Sequence, residues 1–228
     1  RYRWPMAMTT VNSPLMSLPP VIDEMFRDRA TVFCGQLGWD LTVDRNGRES
    51  DQYDPLGPTY CIIETESGRH AGSVRIMPTT GRTMLSEVFS EQTRGTIEPS
   101  PRLWEATRFC ISPTVARPKL RRDIAKMIMR SMIIFASERN IGGFAGVFYE
   151  PMIVAWRRWG WGPRMVAKKP YKGETIFVGL WEANNDILQQ LQPMDGDSSL
   201  GCRALFWSPS EIVSIRSKPA LRAASDHH

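Results

Sequence analysis

Residues 103–149 read LWEATRFCISPTVARPKLRRDIAKMIMRSMIIFASERNIGGFAGVFY, and this stretch decides the fold. Leu103 to Ile111 alternates weakly and predicts a strand. From Lys119 to Glu138 the period changes. Ile124, Ile128, Met132 and Phe135 fall on one stripe, while Arg121, Arg122, Lys126 and Arg130 take other faces, which predicts a long amphipathic helix. Gly142-Gly143 is the expected stop. Phe144 to Tyr149 is a short apolar run of the buried-strand type. Strand, helix and strand in succession point to a mixed α/β architecture.

Towards the C-terminus, Pro151 suits the first turn of a short helix that Gly160 closes. Arg164–Ala167 and Thr175–Leu180 read as strands, and Glu182–Leu191 as a last short helix. Beyond Pro193 the composition turns polar, with a short helix expected near Pro209–Ile215. Towards the N-terminus, Tyr60–Glu64 and Gly72–Met77 form two strands joined by a turn at Ser67-Gly68. Residues 42–58 form a polar loop rich in Gly, Asn, Asp and Pro. Met25, Phe26, Ala30, Phe33 and Leu37 recur at three- and four-residue steps, predicting a helix over 22–37. There is no internal repeat. The organisation expected is an irregular arm over 1–19, one domain over 20–192 and a polar extension over 193–228. The fold class is α/β of the α+β kind, with a mostly antiparallel sheet flanked by helices.

Charged residues make up 23% of the chain and hydrophobic ones 42%, which excludes a disordered or fibrous protein. Apolar runs such as Met132–Ala136 fall far short of the ~20 residues of a membrane-spanning helix, so a cytoplasmic protein is expected. Cys34, Cys61, Cys110 and Cys202 form no CxxC pair, and the three histidines show no metal-ligand spacing, so free thiols and no metal are expected. A net charge of +5 favours acidic partners without choosing among them.

Three clusters carry the candidate chemistry. The first is Arg29-x-x-x-Phe33, then Trp39, then Glu49-x-Asp51-x-x-Asp54. Alone it also fits a helix with a core Phe followed by a solvated acidic loop. The second is Gly72-Ser73-Val74-Arg75, and the third is Trp104-Glu105-Ala106-Thr107-Arg108-Phe109. On a regular strand Glu105, Thr107 and Phe109 share one face, and Trp104, Ala106 and Arg108 the other.

In their order and spacing, Arg29, Phe33, Trp39, Asp51, Asp54, Arg75, Phe89, Glu105 and Arg108 resemble the acyl-homoserine-lactone synthases, also called autoinducer synthases. The resemblance runs from about Met25 to Leu191 and is strongest through Ile111. It implies a fold like that of the general N-acetyltransferases, with a sheet splayed to admit an acyl-pantetheine chain. It implies S-adenosylmethionine as a substrate, no separate cofactor, and acyl carrier protein or acyl-CoA as donor. The amine of S-adenosylmethionine attacks an acyl thioester, and lactone closure releases methylthioadenosine.

An amine nucleophile needs a base, and Glu105 is the candidate. Arg29, Arg75 and Arg108 are expected to face Asp51, Asp54 and Glu105, with Arg29, Asp51 and Arg108 as suited to scaffold as to contact. Phe33 and Trp39 offer aromatic faces to a sulfonium cation. Phe89, Thr107 and Gly146 complete the expected substrate-binding set. In some relatives a threonine near the Gly146 position accompanies 3-oxo chains, so glycine there leans against that preference. Arg121, Arg122, Arg158 and Lys168 are the candidate carrier-binding residues, suited to an acidic acyl carrier protein.

Two rival functions remain in view. Arg157-Arg158-Trp159-Gly160-Trp161-Gly162 matches the phosphate loop of a plain N-acetyltransferase, but it closes a helix instead of opening one. The basic charge suggests a nucleic-acid binder, yet no helix-turn-helix, zinc-finger or aromatic-basic stacking motif accompanies it.

Overall fold

Strands β1 (Thr59–Thr65) and β2 (His70–Pro78) form an antiparallel hairpin at the middle of an eight-stranded sheet. The structure is a computed structural model that describes residues 18–191 and 201–209 and the backbone of 211–215. At the hairpin turn Gly68 takes φ 76°, a left-handed conformation open to glycine. Strand β3 (Leu103–Ile111) pairs antiparallel with β2, and β4 (Gly143–Tyr149) runs parallel to β3. Strands β5 (Arg164–Tyr171) and β6 (Glu174–Glu182) complete one side, and β7 (Cys202–Ser208) and β8 (Glu211–Ile215) the other. The order is β5-β6-β4-β3-β2-β1-β7-β8, and only β3–β4 is parallel. The expected class, a mixed and mostly antiparallel sheet flanked by helices, is what forms.

Period-two alternation buries both faces of β1. Cys61 and Ile63 join the core beneath the long helix α3 (Pro118–Glu138), whereas Tyr60 and Ile62 join a second core beneath α1 (Pro20–Arg29). The predicted stripe of α3 is buried at Ile124, Ile128, Met132 and Phe135. Pro118 sits in its first turn, and Arg117 before it is extended, as a residue preceding proline prefers. The stop differs from the expectation. Asn140, at φ 55°, takes the left-handed position that Gly142-Gly143 was expected to supply. Gly143 instead opens β4, where a Cβ would stand 2.5 Å from the Trp181 carbonyl oxygen. Helix α4 (Glu150–Trp159) begins with Pro151 in its first turn and closes on Gly160 at φ 98°. The RxxGxG match is therefore a helix C-terminus. Helix α5 (Asn185–Gln190) is capped by the Asn184 side chain, which accepts from the Ile187 N–H.

The helix expected over 22–37 changes character half-way. After α1 the chain widens into a π-helical segment, Ala30–Gln36. The wider winding breaks the predicted stripe: Met25, Phe26 and Phe33 are buried, but Leu37 is 54% exposed. The region beyond 193 also departs from expectation. Residues 211–215 form a strand, not a short helix, and β7 is a full member of the sheet. Its alternation places Ala204 and Phe206 in one core and Leu205 in the other, and Phe206 stacks on Phe135 at 4.4 Å. The arm expected over 1–19 lies outside the described residues except for Leu18 and Pro19. Among the described residues no helix is long and apolar enough to cross a membrane.

Candidate active site

The acidic loop is folded by its own side chains. The Asp51 N–H donates to Asp54 Oδ2 (2.8 Å) and the Tyr53 N–H to Asp51 Oδ1 (2.9 Å), leading into one 3-10 turn over Asp54–Leu56. Glu49 is held by its N–H on the Phe26 carbonyl (3.0 Å), which brings the loop back against α1. Glu49, Asp51 and Asp54 then meet three arginines from three different elements.

Arg29, from the end of α1, donates from Nε to Glu49 Oε2 (2.6 Å) and from Nη1 and Nη2 to the two oxygens of Asp54 (3.1 Å each). Arg75, on β2, donates to both oxygens of Asp51 (2.6 and 3.0 Å), to Asp54 Oδ1 (2.9 Å) and to Thr107 Oγ1 (3.1 Å). Arg108, on β3, reaches Glu49 Oε1 (3.1 Å) and Asp51 Oδ2 (2.9 Å). Tyr60 donates its hydroxyl to Asp54. All three guanidinium groups are buried. Burial alone would raise the Asp54 pKa, but the charges and hydrogen bonds of Arg29 and Arg75 outweigh it and hold this carboxyl far below its usual range. Burial pulls against the charge of Arg29 and Arg75, and their carboxylate partners more than restore it. A charge-balanced network of this kind is costly to break, because removing one member strands its partner in a dry site.

The strand-face assignment over Trp104–Phe109 needs correction. Arg108 has φ 54°, and the pairing of β2 with β3 slips between Ser73 and Arg75, so the strand carries a bulge. The bulge turns Thr107 and Arg108 both towards the ion-pair network. It sends Phe109 to the opposite face, where its ring packs on Trp156 at 4.7 Å. Arg108 is thus brought to the site by strain that no alternation pattern records.

Glu105 is likewise not where the arginines are. Its side chain is fully buried, and Oε2 accepts the Leu85 N–H at 2.6 Å. Oε1 is buried without a hydrogen-bond partner. Glu49, whose acidic run had the bland alternative of a solvated loop, takes the arginine contacts expected of Glu105. Burial pushes the Glu105 pKa up, opposed in part by the Leu85 N–H and the charge of Arg75.

Phe33 and Trp39 stack at 5.0 Å with planes 9° apart. Phe33 is buried with the Arg108 guanidinium 5.7 Å from its ring centre, whereas Trp39 is 36% exposed and 6.4 Å from Tyr149. Phe89 precedes the short helix α2 (Ser90–Thr93) and packs on Tyr171 at 5.0 Å. Gly146 lies one residue past the point where β3–β4 pairing ends at Glu105 and Ala145. A Cβ there would stand 3.0 Å from the Ala106 carbonyl and 3.4 Å from the Trp181 ring. Arg121 is tied to the Ser112 and Val115 carbonyls (3.4 and 3.1 Å), an anchor for the turn before α3. Arg122 is more open, 3.8 Å from Asp123. Arg158 is exposed on α4, and Lys168 lies on β5 with Nζ 5.5 Å from the Phe177 ring.

Among the described residues no group of three or more His, Cys, Asp or Glu is placed to hold a metal ion. Asp28, His70 and Ser73 do form a hydrogen-bonded chain (2.6 and 3.0 Å), which no spacing signal suggested. All three are buried, so the chain ties α1 to β2 and offers no nucleophile to a substrate.

Residues 14–191 match the autoinducer synthase family model, which spans this network and most of the sheet. The chain belongs to the autoinducer synthase family. As such it is an acyltransferase that makes an acyl-homoserine-lactone autoinducer for quorum sensing. An acyl-homoserine-lactone synthase of Rhizobium etli is 37% identical over 172 residues, covering 75% of this chain and 81% of the relative. Among solved structures, the acyl-homoserine-lactone synthase LasI superposes with a TM-score of 0.63 at 28% identity, over 72% of this chain and 83% of that one. A putative N-acetyltransferase from Lactobacillus plantarum aligns with a TM-score of 0.51 at 12% identity, over 78% of this chain and 99% of that one. That likeness concerns the fold alone, and places the synthase in the general N-acetyltransferase architecture.

Proposed function

We propose that this synthase, working in the cytoplasm, acylates the α-amine of S-adenosylmethionine from an acyl thioester and then closes the homoserine lactone, releasing methylthioadenosine. S-adenosylmethionine is then a substrate, and the chemistry requires no further cofactor. The observation that carries the assignment of residues is Glu105. Its buried Oε1 has no partner, its pKa is raised by burial, and it lies where β3 and β4 separate. A carboxylate in that state suits a general base for an ammonium group. The ammonium gives one proton to solvent, and Glu105 takes a second from the attacking nitrogen, directly or through water. The new N–C bond forms as the acyl C–S bond breaks, and the proton passes to the leaving thiolate. Lactone closure forms a bond from the carboxylate oxygen to the γ-carbon as the C–S bond to the sulfonium breaks, leaving neutral thioether. That step asks for alignment more than for acid or base.

Arg29, Arg75, Arg108, Asp51 and Asp54, with Glu49, form the rigid floor of the site and set the orientation of the amino-acid part of the substrate. The exposed Trp39 ring, backed by Phe33, offers a face to the sulfonium cation. Phe89, Thr107 and Gly146 line the path of the acyl group. Arg122, Arg158 and Lys168 receive the acidic acyl carrier protein, with Arg121 supporting the turn beneath, and acyl-CoA is the alternative donor.

The test is incubation of the purified protein with S-adenosylmethionine and a panel of acyl carrier protein and CoA thioesters, with products identified by mass spectrometry. Acyl-homoserine lactone and methylthioadenosine in equal amounts are expected. Acylated amine without methylthioadenosine would sink the lactonising assignment.

A further inference from the structure

The segment between β2 and β3 holds Glu105 through the backbone of one residue, Leu85. The Leu85 N–H donates to Glu105 Oε2 at 2.6 Å. The carbonyl of the same residue accepts the Thr93 hydroxyl at 2.8 Å. Leu85 and Thr93 are both buried, so each bond is made away from water. Two residues on, Glu87 Oε2 accepts the hydroxyl of Tyr53 at 3.0 Å, and Arg82 Nε donates to Glu87 Oε1 at 2.6 Å. Tyr53 is itself buried, with the Arg75 guanidinium 5.5 Å from its ring centre. The Met84 sulfur accepts from Arg75 (3.6 Å) and Arg108 (3.5 Å). The segment is therefore pinned at Leu85 itself by Thr93 from α2 and at Glu87, two residues on, by Tyr53 from the acidic loop.

We propose that Thr93 and the Tyr53–Glu87 pair are positioning residues that hold Glu105 in its working geometry through the backbone of Leu85. The inference rests on Glu105 being the base. A buried carboxylate held by one oxygen leaves the other free to accept a proton, and its direction is fixed by the bond that is made. The Leu85 N–H also favours the ionised form against the burial that opposes it. If the backbone at Leu85 loosens, the carboxylate loses both its aim and part of its charge stabilisation. The exposed Arg82–Glu87 pair adds little by itself, as surface ion pairs do. Its role is to present Glu87 to Tyr53, whose phenol burial and Glu87 together push up to about 12, so it remains a donor at neutral pH.

The experiment uses the full chain with S-adenosylmethionine and its best acyl donor. The pH profile of kcat/KM is measured for the wild type, Thr93→Val, Thr93→Ser and Tyr53→Phe. The limb that Glu105→Gln abolishes belongs to Glu105. In Thr93→Val and Tyr53→Phe that limb moves up by about half a pH unit or more, within the reach of one charge-assisted hydrogen bond, while the KM for S-adenosylmethionine holds. Thr93→Ser, which keeps the hydroxyl, restores the wild-type limb. If Thr93→Val does not fold, Tyr53→Phe decides, since it keeps the ring over Arg75 and removes one oxygen. An active wild type whose limb stays put in Tyr53→Phe overturns the positioning role alone. A wild type that uses no donor, or a fully active Glu105→Gln, overturns the assignment of the base and this inference with it.

Discussion

Arg29 and Asp54 meet fork to fork, with both guanidinium Nη atoms 3.1 Å from a carboxylate oxygen and neither side chain open to water. Asp54 is also the carboxylate shared by Arg75 and Tyr60, so it is the hinge of the whole network. Asp54→Asn leaves buried arginines without their charge. A loss of ~3–5 kcal/mol of stability is expected, or roughly 10 °C in Tm for a chain of this size, measured by calorimetry. Asp51→Asn, three residues earlier in the loop and slightly more open, should cost less. Equal losses would mean that the network is not organised about Asp54.

The same residue sets a pH window. The folded pKa of Asp54 lies well below the ordinary carboxylate range, because Arg29 and Arg75 outweigh burial. Its contribution to stability is therefore complete above about pH 4 and is lost as pH falls through the unfolded value towards the folded one. Acid unfolding should steepen below pH 4 in the wild type and flatten in Asp54→Asn. An acid limb of stability identical in the two proteins would assign the loss to other carboxyls.

Glu105 has the opposite sign. Burial raises its folded pKa above that of a free glutamate, so its charge opposes folding once the pH rises past the unfolded value. Glu105→Gln keeps an acceptor for the Leu85 N–H and removes a buried charge. We expect kcat to fall by ~100-fold or more, as loss of a general base does, with Tm changed little or raised at neutral pH. A variant that loses activity only in proportion to its loss of fold would point to a structural role.

Gly146 makes a steric test of the acyl path. A Cβ at this position meets the Ala106 carbonyl at 3.0 Å and the Trp181 ring at 3.4 Å, so Gly146→Thr must displace one of them. Overpacking of this kind typically costs ~1–3 kcal/mol. The product spectrum should shift to different acyl chains as Trp181 moves. An unchanged product distribution in a folded Gly146→Thr would remove Gly146 from the acyl path.

Most strands and helices are legible because their periods are. Leu103–Ile111 is predicted to the residue, and the α3 stripe falls on the core. What escapes the sequence is geometry that breaks a period. Arg108 joins the site only through a left-handed backbone angle, and alternation placed it on the wrong face. Leu37 misses the core because the helix widens after Arg29. Glu49 belongs to a run that also suits a solvated acidic loop, and nothing local shows that two arginines from distant elements close over it. Strand β7 sits next to polar turn residues that mask its alternation. Leu85 acts through its N–H, which every residue but proline carries, so no side-chain pattern marks it.

The donor can be decided by charge. Arg158 is exposed on the last turn of α4 and Lys168 on β5, and Lys168 rests near the Phe177 ring without an ion-pair partner among the described contacts. Residues like these add long-range attraction to an acidic protein, which acts mainly on encounter and is screened by salt. Acyl-CoA carries charge too, but over a few phosphates and not a protein face. Arg158→Glu with Lys168→Glu should therefore raise the KM for an acyl carrier protein thioester by ~10-fold at low salt and change it far less for the matching CoA thioester. The difference should shrink as ionic strength rises past the point where the Debye length falls under about 8 Å. Equal rises for both donors would place the two residues on a shared pantetheine path, and no rise for either would take the α4–β5 surface out of donor recognition.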